Sequence, residues 1–190
     1  AILEPVLRSM RLKRVLPVLQ HYPECRLLDV GCGFSHRLLR AVEPHVQEAW
    51  GIDRKATEMR QGRINIVRAS LDEGLPSTDA RFDLVTMLAV LEHLNNPMLL
   101  MREVERVLRP GGRLVLTVPA PAAKPVLEFL AFRLGLVSKE EIRDHKRYYG
   151  RTDLANFMSG LGSMRIEALW SFQLGFNTAC IAIRDGSPAP

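Results

Sequence analysis

Two aspartates and two glycines carry the first chemistry that the sequence offers. Asp29 lies in an apolar run, Leu27-Leu28-Asp29-Val30, and Gly31-Cys32-Gly33 follows at once. Glycine accepts backbone angles that other residues resist, and a bare main chain lets a ligand come close. A strand that stops at such a turn and opens into a helix holds a nucleotide-like ligand at the carboxyl end of a parallel sheet. The dinucleotide fingerprint asks for a third glycine where this chain has His36, so a pyrophosphate cradle is poorly supported. Asp29 stands two residues before the first glycine. There it would repel a phosphate and receive a cationic ammonium group. Asp53 ends a second apolar stretch, Trp50-Gly51-Ile52, where a carboxylate can accept hydrogen bonds from the ribose hydroxyls. Together these residues describe a site for a nucleoside with a charged amino-acid tail. Taken singly, the turn also suits any tight strand-to-helix corner, and Asp53 any solvated strand end.

Elements in a definite order must position these groups. Residues 3–20 carry apolar side chains at mostly helical spacing; Pro5 suits a first turn and Pro17 breaks or kinks the pattern. Strands are expected over 26–30, 46–52, 64–69, 82–88 and 113–118. Helices are expected over 35–42 and 97–108, with 54–62 at most a short helix. The unbroken apolar run at the first strand suits burial on both faces. This alternation implies an α/β fold: a doubly wound, mostly parallel, seven-stranded sheet with right-handed crossovers. Thr152-Asp153 can cap a helix through Leu161, and residues 164–172 and 176–183 then form an antiparallel hairpin around Gln173–Gly175. The tail from Asp185 to Pro190 is expected to fray. Val126–Val137 is apolar almost all round and suits a cap over the site, a contact with a second subunit or a membrane surface, or plain core. The whole chain, 1–190, reads as one domain. It divides into an N-terminal helical segment (1–24), a ligand-binding core (25–119), a cap (120–150) and a C-terminal helix with a strand pair (151–190).

Composition sets bounds on function. The chain has 190 residues, 47% hydrophobic and 25% charged, which is ordinary for a globular enzyme. The net charge of +5 is partly concentrated in Arg8, Arg11, Lys13 and Arg14, which fit an anionic partner or a solvated helix face. Three cysteines without a CxxC spacing suggest neither a disulfide framework nor a zinc site, and no metal is expected. With no visible signal peptide and no apolar run of about 18 residues, the expectation is a cytoplasmic protein without a transmembrane segment.

Four blocks occur in order: Leu27–Ser35; Trp50-Gly51-Ile52-Asp53; Phe82-Asp83-Leu84-Val85 with Val90-Leu91-Glu92-His93-Leu94; and Leu108-Arg109-Pro110-Gly111-Gly112-Arg113-Leu114. Their sequence and spacing resemble the motifs of class I S-adenosylmethionine-dependent methyltransferases, nearest to the branch with quinone-biosynthesis and other small-molecule enzymes. The resemblance covers residues 25–119 and weakens through Gly162. It implies a Rossmann-like fold and S-adenosylmethionine as donor, with S-adenosylhomocysteine as product. Asp29, Gly31, Cys32 and Gly33 resemble the turn that holds the methionine part, Asp53 the ribose acceptor, and Arg54 a residue flanking the adenine. Family members often carry an acidic residue after the third strand; here Ser70 matches that position, so Ser70, main chain at Leu71, or Asp72 would meet the adenine. Leu88 resembles a position whose main chain lies against the methionine moiety.

Two histidines follow from the same resemblance. His93 matches the Leu-Glu-His segment, where it serves as a base toward substrate or as helix-start packing. His145 matches an Asp-His…Tyr segment, with Tyr148 and Tyr149 as substrate contacts, or else the segment is a charged surface joint. Methyl transfer to a small-molecule, lipid-precursor or glycan-precursor acceptor is the expectation. A nucleic-acid methyltransferase and a non-catalytic binding module are the alternatives; no base-flipping signature is evident. Peripheral membrane contact and either a monomer or a homodimer fit the sequence.

Overall fold

The structure, a computed structural model, describes residues 3–186, and of Glu4 and Glu141 the backbone alone. Eight strands form one sheet: β1 (Arg26–Val30), β2 (Glu48–Ile52), β3 (Met59–Gln61), β4 (Ile64–Val67), β5 (Phe82–Leu88), β6 (Leu108–Pro119), β7 (Met164–Phe172) and β8 (Asn177–Arg184). The helices are α1 (Glu4–Leu19), α2 (Arg37–Val42), α3 (Pro97–Val107), α4 (Ala123–Phe132), α5 (Lys139–Asp144) and α6 (Arg151–Ser159). The strand order is β3-β4-β2-β1-β5-β6-β8-β7. Strands β4, β2, β1, β5 and β6 run parallel, while β8 is antiparallel to β6 and β7 to β8. The chain winds outward from β1 through β2 to β4, then crosses back to lay β5 on the other side of β1. In such sheets ligands bind beyond the carboxyl ends of the strands where the winding reverses, which here lies between β1 and β5.

Adjacent residues of one strand point to opposite faces, and the core divides accordingly. Leu27, Leu84 and Val115 join Val15, Leu38, Leu39 and Val42 in the cluster under α1 and α2. Their chain neighbours Leu28, Val85 and Leu114 join Leu100, Met101, Val104, Leu154 and Met158 under α3 and α6. Both faces are therefore covered, which is why β1 needs leucine at successive positions. Each such side chain contributes about 1.5–3 kcal/mol of burial. Helix α3 buries Leu100, Met101, Val104 and Val107, one face at helical spacing. Pro97 starts it, and the Asn96 side chain accepts the Leu99 amide hydrogen at 3.3 Å.

The doubly wound architecture is the one the sequence implies, and β1 and β5 have the expected bounds. Residues 54–62 differ. They hold no helix; Met59–Gln61 turns at Gly62 and pairs antiparallel with β4, adding an eighth strand at the edge. Short exposed polar residues, Arg60 and Gln61, are what a sheet edge tolerates, so helical periodicity gave no guide there. Pro17 sits inside the last turn of α1 without ending it. The final helix begins at Arg151, with the Asp153 carboxylate accepting the Gly150 amide hydrogen at 2.7 Å; Gly150, not Thr152, is its cap residue. The apolar stretch around α4 turns Leu127, Leu130 and Ala131 toward Leu3, Leu7, Val137 and Ile142, and leaves Val126, Phe129 and Phe132 exposed. Of the tail expected to fray, residues 187–190 lie outside the described residues.

Candidate active site

The glycine turn stands where β1 meets α2. The Gly31 amide donates to Ile52 O at 2.8 Å, tying the turn to the end of β2. Gly31 has φ +76°, and a Cβ there would run into Val90 Cγ2. Only glycine lets the residues after β5 pack this tightly on the turn. Gly33 has φ +68° with nothing within 4 Å of a Cβ, so its main chain faces open space. Its amide donates to Asp53 Oδ2 at 3.0 Å, and the Lys55 amide to Asp53 Oδ1 at 2.7 Å. Two strand ends and two carboxylates thus converge on one short turn. Cys32 packs its sulfur against Gly51, whose missing Cβ would lie 2.8 Å away. Burial, then the neighbouring Asp29 and Asp53 carboxylates, keep that thiol protonated.

Asp29 is 4% exposed. Burial pushes its carboxyl up to about 7; the Thr86 hydroxyl, donating to Oδ1 at 2.7 Å, pulls the other way, and the Asp53 charge pushes further up. A buried carboxylate poised near neutrality gains its charge readily when a cation arrives. Both carboxylates therefore favour a ligand with positive charge over one with phosphate.

A second group of side chains faces this turn from the β5 side. Ala89, at φ +56°, bends the chain out of β5, with its amide held by Thr117 O at 2.9 Å. A single turn, Leu91–His93, follows, and Glu92 is 1% exposed. The segment after α5 lies across this turn: the Lys146 amide donates to Glu92 O at 2.8 Å and the Tyr149 amide to Pro119 O at 3.1 Å. Asp144 Oδ2 lies 3.2 Å from His93 Nδ1 and 3.9 Å from the Arg54 guanidinium, so it spans the ends of β2 and β5. The His93 and His145 rings meet edge-on with centroids 4.8 Å apart. The Tyr148 hydroxyl lies 3.2 Å from His145 Nδ1. Burial, then the nearby His93 and Arg11, push the His145 imidazole down to about 4, leaving it neutral at neutral pH.

The structure gathers Asp29, Gly31, Cys32, Gly33, Asp53 and Leu88 at the carboxyl ends of β1, β2 and β5. Arg54 leans across to Asp144. Ser70 precedes the single turn Leu71–Glu73, where Leu71 packs on the core and Asp72 is exposed. Tyr149, unlike Tyr148, is buried in the main core with its ring against Phe157 at 5.5 Å. Sequence reasoning missed three participants. Thr86 is set beside Asp29 by strand register, which pairs the two residues. Asp144 and Glu92 become partners of the two histidines only through the long excursion over α4 and α5. The sequence shows no metal-ligand spacing, yet one ligand atom each from Glu92, His93 and His145 lie within 4.8 Å of one another.

Comparison with known proteins shows what this chain is similar to. A family model described as a methyltransferase domain matches residues 28–116. The 27-O-demethylrifamycin SV methyltransferase of Amycolatopsis mediterranei is 32% identical over 144 residues, 66% of this chain and 53% of the relative. A tRNA U34 carboxymethyltransferase of Idiomarina loihiensis is 31% identical over 116 residues, 55% of this chain and 36% of the relative. The chain thus spans about half or less of the length of these curated relatives. A solved S-adenosylmethionine-dependent methyltransferase from Mesorhizobium loti superposes with TM-score 0.66 at 20% identity, covering 97% of this chain and 98% of the other. No helix among the described residues is long and apolar enough to cross a membrane. With its ordered motifs, its winding order and its carboxylate-flanked glycine turn, the chain carries a methyltransferase domain over residues 28–116 and is similar to the class I S-adenosylmethionine-dependent methyltransferases.

Proposed function

We propose that this chain transfers a methyl group from S-adenosylmethionine to an oxygen of a small-molecule, lipid-precursor or glycan-precursor acceptor. The observation that carries this reading is the buried Asp29 beneath the Gly31–Gly33 turn with Asp53 bonded across it. The residues fit the donor: Gly33 leaves open space for a ligand against main chain, and two carboxylates suit an ammonium and a ribose. When bound, the donor supplies a methyl group already activated on a positively charged sulfur.

The protein's own work is then alignment and exclusion of water. Asp29 fixes the ammonium, Asp53 the ribose, and main chain at Gly31, Gly33 and Leu88 the methionine part. Ser70, Leu71 and Asp72 border the adenine. Residues 120–150 cap the acceptor, and the two pinned amides of Lys146 and Tyr149 hold that cap on the sheet. His145 and Tyr148, with His93, face the acceptor. His145, neutral, accepts a hydrogen bond from an acceptor hydroxyl and orients its oxygen in line. The bound donor would supply the methyl group by exchanging its sulfur–carbon bond for an oxygen–carbon bond, remaining as a neutral thioether, and the hydroxyl proton would pass to water.

Calorimetry with S-adenosylhomocysteine tests the donor site: wild type binds, and Asp53→Ala binds at least about tenfold more weakly. Failure of the folded chain to bind either form of the cofactor would sink the reading. A tRNA acceptor is favoured by the net charge of +5 and by the tRNA U34 carboxymethyltransferase relative. Radiolabelled methyl incorporation separates the two: transfer to unmodified tRNA, steeply salt-dependent, with none to a panel of phenols and sugar hydroxyls would replace the first reading by the second.

A further inference from the structure

We propose that Glu92, His93 and His145 bind a divalent transition-metal ion of the zinc class at the acceptor side of the site. One ligand atom from each lies within 4.8 Å of the others. Around zinc, nitrogens and oxygens at about 2.1 Å stand roughly 3.5 Å apart, so side-chain adjustments of about an ångström close the set. The backbone is already fixed for this: Val90 presses on Gly31, and the Lys146 amide holds Glu92 O, which brings the two halves of the set together.

The donors decide the ion. Two imidazoles with one carboxylate suit zinc, iron or cobalt, whereas magnesium and calcium prefer oxygen throughout. Each ring also has an oxygen at one nitrogen: Asp144 at His93 Nδ1 and the Tyr148 hydroxyl at His145 Nδ1, both at 3.2 Å. Such oxygens stand beside the set, as carboxylates and hydroxyls do around ligating histidines, and the ion takes one nitrogen of each ring. Glu92 is a carboxylate held out of water, where a cation is a favourable neighbour. Three protein ligands leave a coordination position open. Resting on the methyl-transfer reading, an acceptor oxygen takes that position, and the ion, rather than the imidazole, meets it and makes its proton easier to lose. An oxygen acceptor is therefore favoured over carbon.

The test uses the full chain stripped with a chelator and titrated calorimetrically with Zn2+, followed by Co2+ binding read from visible absorption. Wild type takes up one equivalent. Glu92→Gln, His93→Ala and His145→Ala each weaken uptake about tenfold or more, while His21→Ala, at an exposed histidine bonded to Pro17 O, does not. Circular dichroism confirms that each variant is folded, and Glu92→Gln keeps the side-chain shape should an alanine variant fail. No stoichiometric uptake by wild type, or unchanged uptake by folded variants, overturns the proposal. S-adenosylhomocysteine binding is measured on the same samples. Cofactor binding without Zn2+ uptake refutes the metal site alone; Zn2+ uptake without cofactor binding supports the site and refutes the methyl-transfer reading.

Discussion

Replacing Asp29 by asparagine isolates one buried charge. The amide side chain keeps an oxygen for the Thr86 hydroxyl, which donates to Asp29 Oδ1 at 2.7 Å, but it cannot ionise. In the wild type the carboxyl is pushed from 3.8 to about 7, chiefly by burial and further by Asp53. Three pH units correspond to about 4 kcal/mol. The folded chain holds this proton more tightly than the unfolded chain, so the group's favourable contribution is complete below about pH 4. It is lost as pH rises through about 7. Between pH 5 and pH 7 the wild type should therefore lose about 1.4 kcal/mol per unit relative to the variant, and no more above pH 8. Urea unfolding of both proteins from pH 5 to 8.5 reads this difference directly, since the other titrating groups cancel. The opposite trend is expected for the ligand. A cationic donor favours ionised Asp29, so wild-type affinity for S-adenosylhomocysteine should climb up to about tenfold per unit below pH 7 and level off above it. Calorimetry in buffers of different ionisation enthalpy should show proton release near pH 7. A stability difference that stays flat with pH, or proton release that persists in Asp29→Asn, refutes the reasoning.

Gly31→Ala forces a methyl group into Val90 at a backbone angle alanine resists; unfolding should become easier by about 1–3 kcal/mol, and cofactor binding should fall, both readable by thermal shift. Arg106 bonds Glu103, Asp79, Ser77 O and Leu75 O, tying the loop before β5 to α3; Arg106→Ala should cost about 1–3 kcal/mol in urea unfolding. Asp144→Ala removes the link from His93 to Arg54; the Michaelis constant for acceptor should rise several-fold while S-adenosylhomocysteine affinity, measured by calorimetry, stays within about twofold.

Much of the fold was written locally. Apolar runs bounded by Gly31 and Asp53, and the Asn96-Pro97 start of α3, are signals over a few residues, and each produced the expected element. Edge strand β3 left no such trace, because three residues, a half-buried Met59 with exposed Arg60 and Gln61, are too short a pattern to betray it. Its partner β4 was legible; the pairing was not. For the proposed donor site, residues at strand ends were readable because a parallel sheet must bring those ends together.

The sequence by itself determined the sheet's two-faced core and the glycine turn with its two carboxylates, since strand alternation and backbone freedom are local properties. Only the tertiary structure decided the cluster proposed to face the acceptor. Thr86 reaches Asp29 through the register of β5 on β1. Glu92 and His93 meet Asp144, His145 and Tyr148 because the excursion through α4 and α5 folds back onto the turn after β5, where two amides hold it. Such contacts join distant parts of the chain, and their distances follow from packing that no short stretch of sequence contains. The raised Asp29 carboxyl and the neutral His145 have the same origin: burial by residues far away in the chain.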